Sequence, residues 1–295
     1  MADFVLSCTT HLDLPKEYVD SRNIYYTSAP YFMNGVEHRD DLYQTISAEN
    51  FYQAMVNGVN VTTSQPNMQE FLDYFEPILK EGKDILHISL SSGLSGTHQS
   101  SVNAANVARE RYPERKIYIV DSLAAASGIG LFMDKLADLR DAGMSIEELR
   151  DWAEENKLRI HHWFFTTDLT FFIKGGRVSK TAGAVAGVLG ICPLLNVSNE
   201  GKLVSREKIR SKKKVIKAIV EKMKEFADDG AEYAEKCFMS HSACIEDAEA
   251  VAKLVKENFP NIKGDVMINN IGTSIGAHTG PGTVALFFWG KKRED

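Results

Sequence analysis

The sequence predicts an α/β protein of two domains, an N-terminal parallel-sheet domain over residues 1–157 and a C-terminal α+β domain over residues 158–295. Three observations lead there. In the first half, short β-branched or aromatic runs alternate with helical patterns, which is how parallel strands joined by crossover helices read in sequence. Beyond about residue 158 the alternation breaks, and a hairpin signal at Asn199-Glu200-Gly201 is mixed with further βα units. A chain of 295 residues, 44% hydrophobic and 25% charged, also has the length and apolar content for two packed cores.

Residues 3–7 read as a buried strand, and 60–63, 84–89 and 116–121 repeat the signal. Ser47 starts a helix over 48–57 that Gly58 ends, and Asn67 starts one over 68–80 that Gly82 ends. Ser95 precedes a third helical run that stops at Tyr112-Pro113. A small β insertion is expected at about 22–46, where two strand-like runs flank Asn34-Gly35, a hairpin turn signal. A long helix from about 123 to 143 leads to another over 145–157, capped by Ser145 with Glu148 at the capping-box position. In the second domain, strands are expected at 159–167, 194–197, 202–207, 236–241, 265–270 and 283–289. A charged amphipathic helix is expected over 211–229 and another helix over 246–258.

Composition narrows the function. Lys and Arg total 34 against 40 Asp and Glu, a net charge of −6, so nucleic acid is a poor candidate partner. Residues 1–8 carry an acid where a signal peptide needs basic residues, and the weakly polar stretch 181–197 falls short of the ~20 apolar residues of a membrane span. A cytoplasmic protein without stable membrane insertion is expected. Cys8, Cys192, Cys237 and Cys244 are scattered without metal-ligand spacing, so neither a disulfide framework nor a metal site is expected. No Walker-type or Gly-x-Gly-x-x-Gly phosphate loop is present, which disfavours nucleotide cofactors.

Four hydroxyl-rich turns follow the first domain's strands, at 7–10, 62–66, 89–97 and 121–122. The carboxyl ends of parallel strands form the ligand crevice of an open sheet, so these turns either converge on a site or merely cap helices. The 89–97 turn suits an anion best, because its glycines allow close backbone approach before a helix N-terminus. A serine hydrolase using Ser95 with His278 and Asp121 is the alternative enzyme reading, although the second glycine of a nucleophile elbow is misplaced.

Further on, Gly175-Gly176-Arg177-Val178-Ser179 precedes a Gly/Ala-rich stretch over 181–190. Small side chains at that density mark close approach by another helix or by a slender apolar ligand. Phe164, Phe165, Leu169, Phe171, Phe172 and Ile173 are core or tunnel lining, and Arg177 is either a structural ion pair or a site cation. The glycine-rich run 272–282 reads as a tight loop presenting His278, as a buried structural group or as a donor to an anion. His11, His161 and His162 receive no role.

Taken together, Thr63-Ser64-Gln65-Pro66, residues 91–99, Asp121-Ser122, Gly175–Ser179 and the His278 loop resemble, in order and spacing, the DegV family of bacterial fatty-acid-binding proteins. The resemblance covers nearly the whole chain. It implies a doubly wound N-terminal parallel-sheet domain, a C-terminal α+β domain, and one long-chain fatty acid such as palmitate or oleate buried between them. It places the carboxylate contacts on Thr63 and Ser95, with Ser92, His278 and Arg177 nearby. It implies a non-catalytic carrier in lipid transport and fatty acid metabolism that presents its ligand to a fatty acid kinase; a ligand-sensing regulatory protein would look the same. The chain departs from the family at Ser7-Cys8-Thr9, where members usually carry Asp-Ser-Thr/Ser.

Overall fold

A computed structural model describes residues 4–179 and 190–294. The chain opens with β1 (Phe4–Thr9), a turn of 3-10 helix at Thr10–Leu12, α1 (Lys16–Ser21) and β2 (Ile24–Thr27). There follow β3 (Pro30–Met33), β4 (Val36–Arg39), α2 (Ala48–Val56), β5 (Val61–Thr63) and α3 (Met68–Lys80). Next come β6 (Asp84–Ser89), α4 (Thr97–Arg111), β7 (Ile117–Asp121), α5 (Ser127–Asp141) and α6 (Ile146–Asn156).

Strands β2-β1-β6-β7 form a parallel sheet in that order. Its near-continuous apolar strands are covered on both faces, as parallel strands must be. Val5, Ile85 and Ile117 meet Phe71 and Phe75 of α3 and Ala104 and Ala108 of α4. Leu6, Leu86, Ile88 and Val120, on the opposite face, join Phe132 and Leu136 of α5 and Leu149 of α6. The N-terminal domain is therefore doubly wound. Strand order reverses between β1 and β6, and ligand crevices of such sheets open at that switch point, beyond the strands' carboxyl ends.

Two strand expectations are corrected. Residues 24–27 are not part of a separate insertion: β2 pairs parallel with β1, Leu6 opposite Ile24, and only β3 and β4 form the hairpin around Asn34-Gly35. Conversely, β5 leaves the parallel sheet and pairs antiparallel with β3, closing a small sheet in the order β4-β3-β5. Of its three residues only Val61 is buried, too little apolar surface for a strand covered on both faces.

The rest of the chain supplies β8 (Ile160–Thr166), α7 (Thr170–Lys174), β9 (Ile191–Val197), β10 (Leu203–Arg210) and α8 (Lys212–Phe226). After these come β11 (Phe238–His241), α9 (Ile245–Asn258), β12 (Met267–Asn270), α10 (Thr273–Thr279) and β13 (Thr283–Trp289). They build a mixed sheet ordered β10-β9-β8-β13-β11-β12. The Gly/Ala-rich stretch expected to be helical lies, for residues 181–189, outside the described residues. The run 272–282 is not only a loop: its first part is helix α10, with Gly280 and Gly282 in the left-handed region just beyond it.

Helix α5 packs on β8, β11 and β13 as well as on β1, so the two sheets share one continuous apolar core. It begins at Ser127 rather than near 123, because Leu123 and Ala126 take φ of 48° and 56°. A second tie joins the halves. The Ser91 hydroxyl, after β6, donates to the Gly201 carbonyl in the β9–β10 turn at 2.8 Å. Gly201 has φ 73°, and a Cβ there would lie 2.0 Å from Ser91 Oγ, so glycine is required on both counts.

No described helix is long and apolar enough to cross a membrane. The four cysteines are free thiols, three of them buried.

The helix starts at Ser47, Asn67 and Ser145 follow the capping chemistry read from sequence, whereas α4 is entered at Gly96 with no side-chain cap rather than at Ser95. Asn67 Oδ1 accepts from the Glu70 N–H at 3.0 Å while Glu70 accepts from the Asn67 N–H at 2.7 Å. Replacing Asn67→Ala removes the first bond, and we expect a loss of about 1 kcal/mol, seen as a fall in Tm of about 2–4 °C. An unchanged Tm in differential scanning calorimetry would show that the α3 N-terminus is frayed.

Candidate functional site

A cavity of ≈ 370 Å³ opens beyond the carboxyl ends of β1 and β6, within the size range of small-ligand pockets. One wall is a face of the mixed sheet. Thr283, Ala285 and Phe287 alternate along β13, and their partners Phe164 and His162 lie opposite on β8. Leu90, Leu94, Phe172, Val197 and Leu203 complete a largely apolar lining. The Phe164 and Phe172 rings stack with centroids 5.8 Å apart, whereas Phe165 and Leu169 sit in the core away from the cavity.

Polar groups gather where α10 meets β5 and the segment after α7. His278 Nε2 lies 2.7 Å from Thr63 Oγ1, and Nδ1 lies 3.4 Å from Arg177 Nη1. The guanidinium can only donate, so Nδ1 accepts and the neutral ring carries its proton on Nε2, donating to Thr63. That assignment leaves the Thr63 hydroxyl proton to be donated onward. Burial, with the Arg177 charge adding to it, lowers the His278 pKa to about 4, so the ring stays neutral near pH 7. Gly175 makes the arrangement possible: a Cβ at this position would stand 2.4 Å from His278 Nδ1.

Arg177 is half-buried. Its Nε donates to the Leu94 carbonyl at 3.2 Å and Nη1 to the Gly175 carbonyl, and burial lowers its pKa from the usual value. Among the described residues no carboxylate pairs with it. Ser95 lies across the cavity at the start of α4, its Oγ 2.8 Å from Thr97 Oγ1 and accepting from the Thr97 N–H.

Thr63, Ser95, His278 and Arg177 thus share one cavity, and Ser92 does not join them. Its side chain is exposed, outside the lining, and its N–H donates to Asp121 Oδ1 at 3.1 Å. The four hydroxyl-rich turns divide similarly. Those at 62–66 and 89–97 reach the cavity, the one at 7–10 stays outside it and supports the lining residue His11 through Thr9, and Asp121 and Ser122 act behind it: Asp121 Oδ1 accepts from the Leu123 N–H, and the Ser122 hydroxyl donates to the Ser89 carbonyl. A Ser95–His278–Asp121 relay is not assembled, since the His278 nitrogens face Thr63 and Arg177.

Polar lining residues also went unrecognised in the sequence, His11, His162 and Ser274 among them. His11, after β1, bonds through Nδ1 to Thr9 Oγ1 at 2.7 Å and through Nε2 to Ser274 Oγ at 3.1 Å. His162, on β8, receives the Ala125 N–H at 3.4 Å. The alternation on β8, with His162 and Phe164 on one face, is the signal that would have found it. No sequence spacing connects His11 to Ser274.

Helix α10 is held from below. Buried Asp13 accepts from the Gly272 N–H at 2.9 Å, buried Asp40 accepts from the Ser274 N–H at 3.2 Å, and the Tyr43 and Tyr52 hydroxyls both donate to the Ile271 carbonyl. Desolvation raises the Asp40 pKa to about 6 and that of Asp13 well above its ordinary value.

Fold and cavity define a class: an α/β protein whose sheets surround an apolar cavity, with, at one end, a neutral histidine, hydroxyls and an arginine that no carboxylate among the described residues pairs with. The chain matches the family model described as "Uncharacterised protein, DegV family" over residues 9–291, and it belongs to that family. A DegV domain-containing protein of Clostridium perfringens is 36% identical over 294 residues, covering 100% of both chains. Among solved structures, a DegV lipid-binding protein from Thermotoga maritima superposes with TM-score 0.86 at 25% identity, covering 100% of both chains. The Streptococcus pneumoniae Fatty Acid Kinase (Fak) B3 protein, loaded with linoleic acid, superposes with TM-score 0.84 at 22% identity, over 99% of this chain and 100% of that one.

The histidines set an acid limit on the fold. Desolvation lowers His11, His161 and His278 to about 4 and His87 to about 3, and lowers His162 and His241 from the ordinary 6.5. Below 6.5 the unfolded chain binds protons that these folded rings refuse, so their contribution is complete above that pH and is lost as pH falls toward 4. Asp13 and Asp40 act in the opposite sense, taking up protons in the folded state, but two groups stand against six. We expect Tm to fall steadily from about pH 7 to about pH 4.5; a flat or rising Tm would show that the rings are charged in the folded protein.

Proposed function

We propose that this protein binds one long-chain fatty acid in the cavity, which serves as a tunnel between the two domains, and presents it to a fatty acid kinase without catalysing a reaction itself. The observation that carries the reading is Arg177, a half-buried cation with no carboxylate partner among the described residues, at the polar end of an apolar cavity. An ionised head group there meets positive charge and directed donors instead of water.

In this reading the carboxylate accepts from the Thr63 hydroxyl, which the Arg177–His278 chain polarises, and from Ser95 on the facing loop. Ser92 stays outside that set. The tail runs along Leu90, Phe164, Ala285 and Phe287. Burying a sixteen-carbon chain at ~0.8 kcal/mol per CH₂ gives a gross gain on the order of 10 kcal/mol before ordering costs, so the tail supplies affinity and the head group supplies orientation. The lipid-binding and linoleic-acid-loaded relatives support the ligand class, and the name of the second, the B3 protein of a fatty acid kinase, supports the acceptor. The carrier acts in the cytoplasm, and the kinase performs the phosphorylation.

Protein purified from a bacterial host should carry a fatty acid detectable by native mass spectrometry. Protein that remains empty after incubation with palmitate or oleate would overturn the reading. Thr63→Ala with Ser95→Ala should weaken binding by roughly 1–3 kcal/mol for each buried hydrogen bond lost, measured by calorimetry. Unchanged affinity would put the head group elsewhere. A bound carboxylate also stabilises protonated His278, so its pKa should rise above the ligand-free value of about 4 in an NMR titration of the ring. The same titration curve with and without ligand would separate His278 from the head group.

A further inference from the structure

A second polar station stands on the cavity wall. Ser274 and His278 are four residues apart on α10 and both line the cavity, so they share a face about 6 Å apart along the helix axis. Ser274, 4% exposed, is bonded to His11, 5% exposed, which is bonded in turn to Thr9. An unsubstituted acyl chain has no use for an imidazole and a hydroxyl in its wall, and burying them costs desolvation.

Structural need does not account for the pair. The loop after β1 is already tied to α10 by Asp13 on the Gly272 N–H, and Asp40 holds the Ser274 N–H. The bond from His11 uses one of the three hydrogen-bonding capacities of the Ser274 hydroxyl, which belongs to a residue lining the cavity, and leaves the others for a ligand. When His11 donates to Ser274, the serine O–H remains to be donated; when His11 accepts, the serine lone pairs remain to accept. A ligand hydroxyl, being both donor and acceptor, satisfies either tautomer, whereas a carbonyl oxygen satisfies only the first.

Distance sets where that hydroxyl sits. An extended chain advances roughly 1.2 Å per bond, as a polypeptide does over its three bonds per residue, so the rise of about 6 Å from Ser274 to the His278 that orients Thr63 corresponds to about five bonds. Resting on the fatty-acid reading above, we propose that the Thr9–His11–Ser274 chain is a specificity site for long-chain acids bearing a hydroxyl near the carboxylate, on about the third to the sixth carbon.

The test compares four ligands by calorimetry on the intact protein: hexadecanoate and its 3-hydroxy, 5-hydroxy and 12-hydroxy derivatives. The 12-hydroxyl lies beyond the reach of Ser274 and loses that partner, and an unpaired buried hydroxyl costs about tenfold or more in affinity. The better of the 3- and 5-hydroxy acids should bind at least tenfold tighter than the 12-hydroxy acid. Ser274→Ala, which keeps the N–H that Asp40 accepts, should erase that preference, and hexadecanoate titrated into the same variant reports that the cavity is intact. An equal penalty for a hydroxyl at every position, or a preference that survives Ser274→Ala, overturns the proposal. Failure of the wild type to bind hexadecanoate overturns the fatty-acid reading instead.

Discussion

A helix of seven residues has little stability of its own, because nearly all its backbone donors and acceptors belong to end turns. Helix α10 nevertheless carries His278 and Ser274, two of the polar side chains that line the cavity. What fixes it is the first domain: Asp13 from the loop after β1, Asp40 from beyond the small hairpin, and Tyr52 from α2. The polar end of the cavity is therefore assembled from both domains at once. Neither a rigid parallel sheet nor a rigid mixed sheet would position these groups alone.

The second constraint is electrostatic. A charged histidine beside Arg177 would place two cations together in a poorly solvated pocket. The ring remains neutral instead and passes the influence of the guanidinium to Thr63 through two hydrogen bonds. The pocket therefore concentrates its positive potential in one group and distributes it through oriented neutral dipoles, the cheaper arrangement where solvent is excluded.

Much of this was legible in the sequence where the signal is local. Caps at Ser47, Asn67 and Ser145 mark helix starts to within a residue, and β13 spans the residues its apolar run indicates. Strand partnership was not legible, because pairing is decided by distant residues: β2 and β5 exchange the sheets that their spacing suggests. Among site residues, Thr63, Ser95, Arg177 and His278 stand in unusual local contexts, and the cavity contains all four. Ser92 shares the context of Ser95, but the turn of the loop sends it to the surface. His11 and Ser274 meet only through the fold, 263 positions apart in the chain.

Strand β13 lies between β8 and β11, in the middle of the mixed sheet, although it follows all the other described strands in sequence. Its Thr283, Ala285 and Phe287 form a wall of the cavity. During synthesis the sheet remains split until these residues leave the ribosome, and the long sequence separation between β13 and β8 makes this pairing a late event. A nascent chain has no closed cavity to fill. The cavity's apolar wall is therefore closed by the same late step that joins β8 to β11 through β13.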